Sequence, residues 1–152
     1  MSQRLRFASN EAGAAQIAAH FRECDTVFVP PLSGRVDIDD YAHKIVTHGQ
    51  RFEAWSGEVL VGLVAVYCNA SDKRTAFITS VSTLPSWQGQ GVAAHVLRDC
   101  IAHVRTQDFA RIELEVDGDN LAALSLYEKS GFMRSHASRH PTTMTLDLRK
   151  DG

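Results

Sequence analysis

The sequence predicts a mixed α/β fold (α+β in layout): a mostly antiparallel sheet of six to seven strands flanked by about four helices. Three observations carry it. Residues 51–83 hold three consecutive strand-like runs joined by short polar turns, the pattern of an antiparallel meander. Over 89–105 the apolar residues change to helical spacing, and Ile112, Leu114 and Val116 then return to strict alternation. A strand, a helix and a strand in that order imply one parallel crossover, confined to the second half of the chain.

In chain order, residues 3–8 alternate, with Leu5 and Phe7 on one face and Arg4 and Arg6 on the other, as a short strand does. Ser9 or Asn10 is placed to cap a helix whose apolar face is Ala14, Ile17, Ala18 and Phe21. Pro30 and Pro31 deny a helix its N–H groups, so 27–33 reads as an exposed loop. Asp37 or Asp39 opens a second helix with Tyr41, Ala42, Ile45 and Val46 inward, closed by Gly49. Strands at 51–55 and 59–67 flank a hairpin turn at 56–58; a polar turn at 69–73 leads into a β-branched strand at 75–83. The long helix over 89–105 shows Val92, Val96, Leu97, Cys100, Ile101 and Val104 on one face. After the strand at 112–116 and a turn at 117–120, a short helix over 121–130 ends at Gly131. Two last strands fall at 132–137 and 142–148.

A chain of 152 residues suits one domain over 1–152, and 44% apolar residues suffice to build its core. The formal net charge of −2 and the absence of any basic stripe point away from nucleic acid. No run approaches the ~18 apolar residues of a membrane span, so no membrane partner is expected. Cys24, Cys68 and Cys100 are odd in number and widely spaced, which fits reduced thiols and a cytoplasmic setting. His43 and His48 are five apart, His95 and His103 eight, and His136 and His140 flank no helix pattern, so no metal site is expected. No Gly-x-Ser-x-Gly elbow or Cys–His pairing signal suggests a hydrolase.

The densest chemical signal is the 84–94 segment, Leu-Pro-Ser-Trp-Gln-Gly-Gln-Gly-Val-Ala-Ala, between a strand and a helix. Glycines there bare the backbone N–H groups, and the helix N-terminus adds partial positive charge, so the loop suits a phosphate without any basic side chain. Gly89, Gly91 and Ala94 also satisfy a dinucleotide fingerprint, with Glu113 or Glu115 spaced for a ribose. Against that alternative, five residues separate the strand from the first glycine, and antiparallel strands precede it.

Gln88-x-x-Gly91-x-Ala93 after a Thr83-x-Pro85 strand exit, then Leu114-Glu115-Val116, then Asn120-x-x-Ala123-x-x-Leu126-Tyr127-x-Lys129-x-Gly131-Phe132, resembles the Gcn5-related N-acetyltransferase (GNAT) superfamily. The resemblance implies that acetyl-coenzyme A lies in a wedge between the fourth and fifth strands. It also implies that the N–H groups of Gln88, Gly89, Gln90, Gly91, Val92 and Ala93 cradle the pyrophosphate, that the backbone of Val81, Ser82 and Thr83 pairs with the pantetheine arm, and that Asn120 holds the coenzyme from the other side. Tyr127 stands where the family places a thiolate-protonating tyrosine. The fourth strand lacks the glutamate many members use as base; Glu115 matches the glutamate that serves in ribosomal-protein N-terminal acetyltransferases.

The implied activity is acetyl transfer to a primary amine by direct attack. The acceptor stays open among peptide N-termini, lysine, amino sugars and other small amines, and a homodimer is compatible. The alternative function is a non-catalytic acyl-coenzyme A-binding module, which would need neither Tyr127 nor a base. Acceptor specificity is expected from 27–41, the hairpin turn and the last two strands, with Asp25, Ser33, Arg35, Asp37 and Asp39 as the polar inventory.

Overall fold

The computed structural model describes residues 4–68, 74–134 and 141–149. Seven strands are present: β1 (Arg6–Ser9), β2 (Gln50–Ser56), β3 (Val59–Tyr67), β4 (Thr75–Thr83), β5 (Arg111–Val116), β6 (Met133–Arg134) and β7 (Thr142–Asp147). Four α-helices accompany them: α1 (Ala14–Cys24), α2 (Ile38–His48), α3 (Val92–Thr106) and α4 (Leu121–Lys129). The strands form one sheet in the order β1-β2-β3-β4-β5-β7-β6. Only β4 and β5 pair in parallel, because α3 carries the chain over the sheet between them.

Each face of the sheet buries its own core. On one side Val96, Leu97, Cys100 and Val104 of α3 and Leu124 of α4 pack on Ile112, Leu114 and Val116. On the other, Ile17 and Phe21 of α1 with Ala42 and Ile45 of α2 cover Trp55, Leu60, Leu63 and Ala65. Burial of each large side chain contributes roughly 1.5–3 kcal/mol. Gly62 lets the start of α3 rest directly on β3, since a Cβ there would come within 2.5 Å of the Val92 Cγ1 atom.

Several boundaries differ from the sequence expectation, each for a local reason. Neither Ser9 nor Asn10 caps α1. Ser9 ends β1, and Asn10 adopts a φ of 58° while its Oδ1 accepts the Arg51 N–H at 2.8 Å. Gly13 takes the N-cap position, its N–H donating to Gln16 Oε1 at 2.9 Å. The cause is Glu53, fully buried on β2, whose carboxylate accepts the N–H groups of Glu11 and Ala12 and the Trp55 indole at 2.9–3.1 Å. It pins the chain ahead of α1 before a helix can start. Asp37 caps α2 by accepting the Asp40 N–H at 3.0 Å.

The 27–33 loop lies within 25–34, where short 3₁₀ turns sit at Asp25–Val27 and Leu32–Gly34. Ser33 ties the turns together by donating its N–H and hydroxyl to Asp25, both at 2.7 Å. α3 starts at Val92, not 89, because Gly89 and Gly91 hold φ near +80°, which a right-handed helix excludes. The expected turn at 69–73 and the 135–137 part of the sixth strand lie outside the described residues.

The decisive irregularity is in β4. Ala65 pairs with Ser80 and Val66 with Ile78, so Thr79 is an extra residue opposite none. This bulge reverses the alternation. Ala76 and Ile78 belong to the α3-side core, whereas Ser82 turns toward α1. The β4–β5 ladder stops at Ile78 and Leu114, while β5 continues through Glu115 and Val116 paired only with β7.

Candidate active site

Past Ile78 the two parallel strands part, and a cavity opens on either side of the gap. The smaller, about 490 Å³, is lined by Val81, Ser82 and Thr83 and by the glycine loop with the start of α3. The larger, about 550 Å³, is lined by Arg35, Tyr41, Thr79, Ser80, Glu115 and Asp117 among others. Phe28, Val81, Asn120, Ala123 and Tyr127 border both.

The smaller cavity presents bare backbone groups suited to an anion. No side chain caps α3, and its first bond is the His95 N–H to the Gly91 carbonyl at 3.1 Å. The N–H groups of Val92, Ala93 and Ala94 therefore have no acceptor within the helix and carry the positive end of its dipole. No heavy atom lies within 4 Å of where a Cβ would stand on Gly89 or Gly91, so a ligand can approach the backbone closely. Thr83 adds a buried Oγ1 with no partner among the described residues. These features fit a pyrophosphate with a polar arm.

Of the loop residues singled out from sequence, Gln88, Gly89, Gly91, Val92 and Ala93 line this cavity. Gln90 does not; its side-chain amide turns back to the Ser86 carbonyl at 3.4 Å. The Ser82 hydroxyl is also committed elsewhere. His20, 3% exposed, contacts the Leu60 carbonyl through Nδ1 and the Ser82 Oγ through Nε2, both at 2.8 Å. A carbonyl only accepts, so Nδ1 carries the proton and Nε2 accepts from Ser82. Burial holds the imidazole down to about 4, against the opposing pull of the Leu60 carbonyl, so it is neutral.

Asn120 starts α4, its Oδ1 accepting the Ala123 N–H at 3.2 Å. Its amide NH₂ is the donor it has left for the cavities it borders. Tyr127, 7% exposed, lies two turns along α4, edge-on to Phe132 at 5.9 Å between centroids. Burial pushes its phenol well above the ordinary value, so it keeps its proton throughout the neutral range.

Glu115 projects from the other face of β5 into the larger cavity, where it is exposed. The gap thus brings Tyr127 and Glu115 to one space although they belong to opposite faces of the sheet. Glu113, the residue a dinucleotide site would need, borders neither cavity and sits 3.7 Å from Arg111. Phe28 and Tyr41 lie within the 27–41 segment expected to face the acceptor, without their particular parts being legible, and His20 gave no signal. Phe28 stands at the junction, and the Tyr41 hydroxyl bonds Thr79 at 2.6–2.7 Å beside the bulge. His20 anchors β4. A helical apolar pattern gave no sign of the polar ends of Tyr41 and His20.

Among the described residues, no group of three or more His, Cys, Asp or Glu side chains is arranged to hold a metal, and no helix is long and apolar enough to cross a membrane.

Comparison with known proteins agrees with this architecture. The chain is 40% identical over 78 residues to a mycothiol acetyltransferase of Brachybacterium faecium, covering 49% of this chain and 23% of that protein. It is 36% identical over 93 residues to the N-alpha-acetyltransferase RimI of Mycobacterium tuberculosis, covering 57% and 54%. The matches thus span about a quarter to a half of these relatives' own length. Among solved structures, the PaiA N-acetyltransferase of Thermoplasma acidophilum in complex with coenzyme A superposes with a TM-score of 0.73 at 15% identity, over 97% of this chain and 99% of that one. The model of the acetyltransferase (GNAT) family matches residues 14–132, and the chain belongs to that family.

Proposed function

We propose that this protein transfers an acetyl group from acetyl-coenzyme A directly to a primary amine. The observation that carries the reading is the gap between β4 and β5: bare N–H groups face one side of it, a carboxylate faces the other, and a protonated tyrosine borders both. The coenzyme, when bound, supplies an acyl group activated as a thioester.

The chain's own residues then have distinct tasks. The N–H groups of the 88–93 loop hold the pyrophosphate, and the unpaired edge of β4 at 81–83 aligns the pantetheine arm. The Asn120 amide steadies the coenzyme from α4. Glu115 takes a proton from the incoming ammonium, since only the neutral amine is nucleophilic. Tyr127 holds a proton at its hydroxyl for the departing sulfur, and its burial excludes water from that transfer. Its raised pKa keeps the acid form loaded throughout the neutral range.

The related acetyltransferases carry different names, mycothiol acetyltransferase and N-alpha-acetyltransferase, so kinship by itself selects no acceptor. Three free cysteines, Cys24 and Cys100 buried and Cys68 half-buried, support a cytoplasmic setting. The test is a thermal-shift titration with acetyl-coenzyme A, followed by a panel of amines assayed by release of free thiol. Expected are a rise in Tm and turnover with at least one amine class. A shift with NAD and none with acetyl-coenzyme A would refute the assignment.

A further inference from the structure

We propose that the acceptor in the larger cavity is a small primary amine that also carries a carboxylate, and that Arg35 receives this carboxylate. The proposal rests on the transferase reading and names its substrate class. In the 25–39 segment every acidic side chain already has a structural partner. Asp25 accepts from Ser33 at 2.7 Å, Asp37 caps α2, and Asp39 bonds Arg22 at 2.9 Å. Arg35 has no carboxylate partner among the described residues, yet it lines the cavity. It lies close enough to Tyr41 to pull that phenol down, although burial outweighs it and pushes the group up to about 12.

Ser80 lines the same cavity. It is 5% exposed, and its Oγ makes no bond of good geometry, although it stands near enough to the Tyr41 hydroxyl to favour the ionised phenol. A buried hydroxyl so weakly partnered gains from a ligand that bonds it. A guanidinium fork and a hydroxyl lining one cavity are donor chemistry suited to a carboxylate. Glu115 and Asp117, from β5 and the turn after it, bring negative charge to the same space and suit an ammonium. A simple alkylamine would leave Arg35 and Ser80 unused, and a diamine would set a second cation against Arg35. The coenzyme phosphates do not explain Arg35 either, because it is absent from the lining of the glycine-loop cavity. The volume of about 550 Å³ is that of a small-molecule site.

The experiment compares amines differing only by a carboxylate: β-alanine with ethylamine, γ-aminobutyrate with propylamine, ornithine with putrescine, and lysine with cadaverine. Thiol release is followed in the parent, Arg35→Ala and Arg35→Lys. In at least one pair the carboxylate-bearing amine should show a kcat/KM at least ~10-fold higher, the scale of a charge-assisted hydrogen bond. Arg35→Ala should erase that ratio mainly through KM, and Arg35→Lys should restore part of it. Equal rates within every pair, or a preference that survives Arg35→Ala, would overturn the proposal. So would a protein that acetyl-coenzyme A stabilises but that turns over no amine of the panel. Each of these leaves coenzyme binding intact, whereas an absent thermal shift with acetyl-coenzyme A would take down the transferase reading itself.

Discussion

The two cavities of this site are built in opposite ways. The glycine-loop cavity takes most of its lining from one stretch, 81–94, and its working atoms are backbone N–H groups left bare by helix geometry. The larger cavity gathers side chains from 28–41, 77–81, 115–127 and Pro141, and its working atoms are hydroxyls, a guanidinium and carboxylates. Backbone chemistry at a helix start is nearly independent of which residues stand there, provided the glycines remain. Side-chain chemistry assembled from distant segments changes with each of them. A shared coenzyme calls for the first kind of site and a varied acceptor for the second.

The largest expected effect is at the junction. Tyr127→Phe keeps the ring and its packing and removes the proton, so kcat should fall ~100- to 10,000-fold with little change in coenzyme affinity. Full activity in that variant would mean that the cavities meet without this residue serving as the acid.

Next is the wall they share. His20 is neutral in the fold near a pKa of about 4 and titrates at about 6.5 when unfolded. The unfolded chain therefore binds the extra proton first, and stability falls as pH drops from about 6.5 to about 4, by an amount on the order of 3 kcal/mol. Urea unfolding across that range should show the slope, and His20→Asn, though less stable overall, should lack much of it. A slope unchanged by the substitution would assign the acid sensitivity to other groups.

Gly91→Val probes the glycine-loop cavity alone. A φ of 80° costs a branched residue ~1–2 kcal/mol, but open space around the Cβ means no clash in the free protein. The melt should fall modestly and calorimetric acetyl-coenzyme A affinity should drop, while parental affinity would reduce the loop to a turn. Smallest, and opposite in sign, is Ser80→Ala in the larger cavity. Removing a buried hydroxyl that makes no bond of good geometry should leave the free protein as stable as the parent or up to about 1 kcal/mol more so. A clear loss of stability would show that this hydroxyl is already bonded.

How far the sequence revealed the molecule follows the same division. Seven strands, four helices and the parallel crossover were legible because hydrophobic periodicity reports which face an element buries. The boundaries moved where a side chain far along the chain intervened, as Glu53 does by holding the N–H groups of residues 11 and 12. The glycine loop was legible as an open backbone turn at a helix start because its geometry is local. Arg35 appeared in the sequence only as one of several polar loop residues; that Asp25, Asp37 and Asp39 are engaged elsewhere is a three-dimensional fact. The strand at 75–83 was placed to the residue, but its bulge was not legible: simple period-two alternation would set Ser80 and Ser82 on the face of Ala76 and Ile78, and the fold puts Ser82 on the other.

That reversal comes from one supernumerary residue, and it makes the position of the site a matter of counting along a strand. Deleting Thr79 would leave every later residue of β4 on its present face and take away only the kink with its Tyr41 contact. It is the mutation that separates the shape of the slot from the chemistry of its walls. Insertions and exchanges in the 25–36 loop do the reverse, redrawing what the pocket recognises without moving the place where the strands part. A fold organised in this way can change customers through its loops while an unpaired residue in the sheet keeps the workbench where it is.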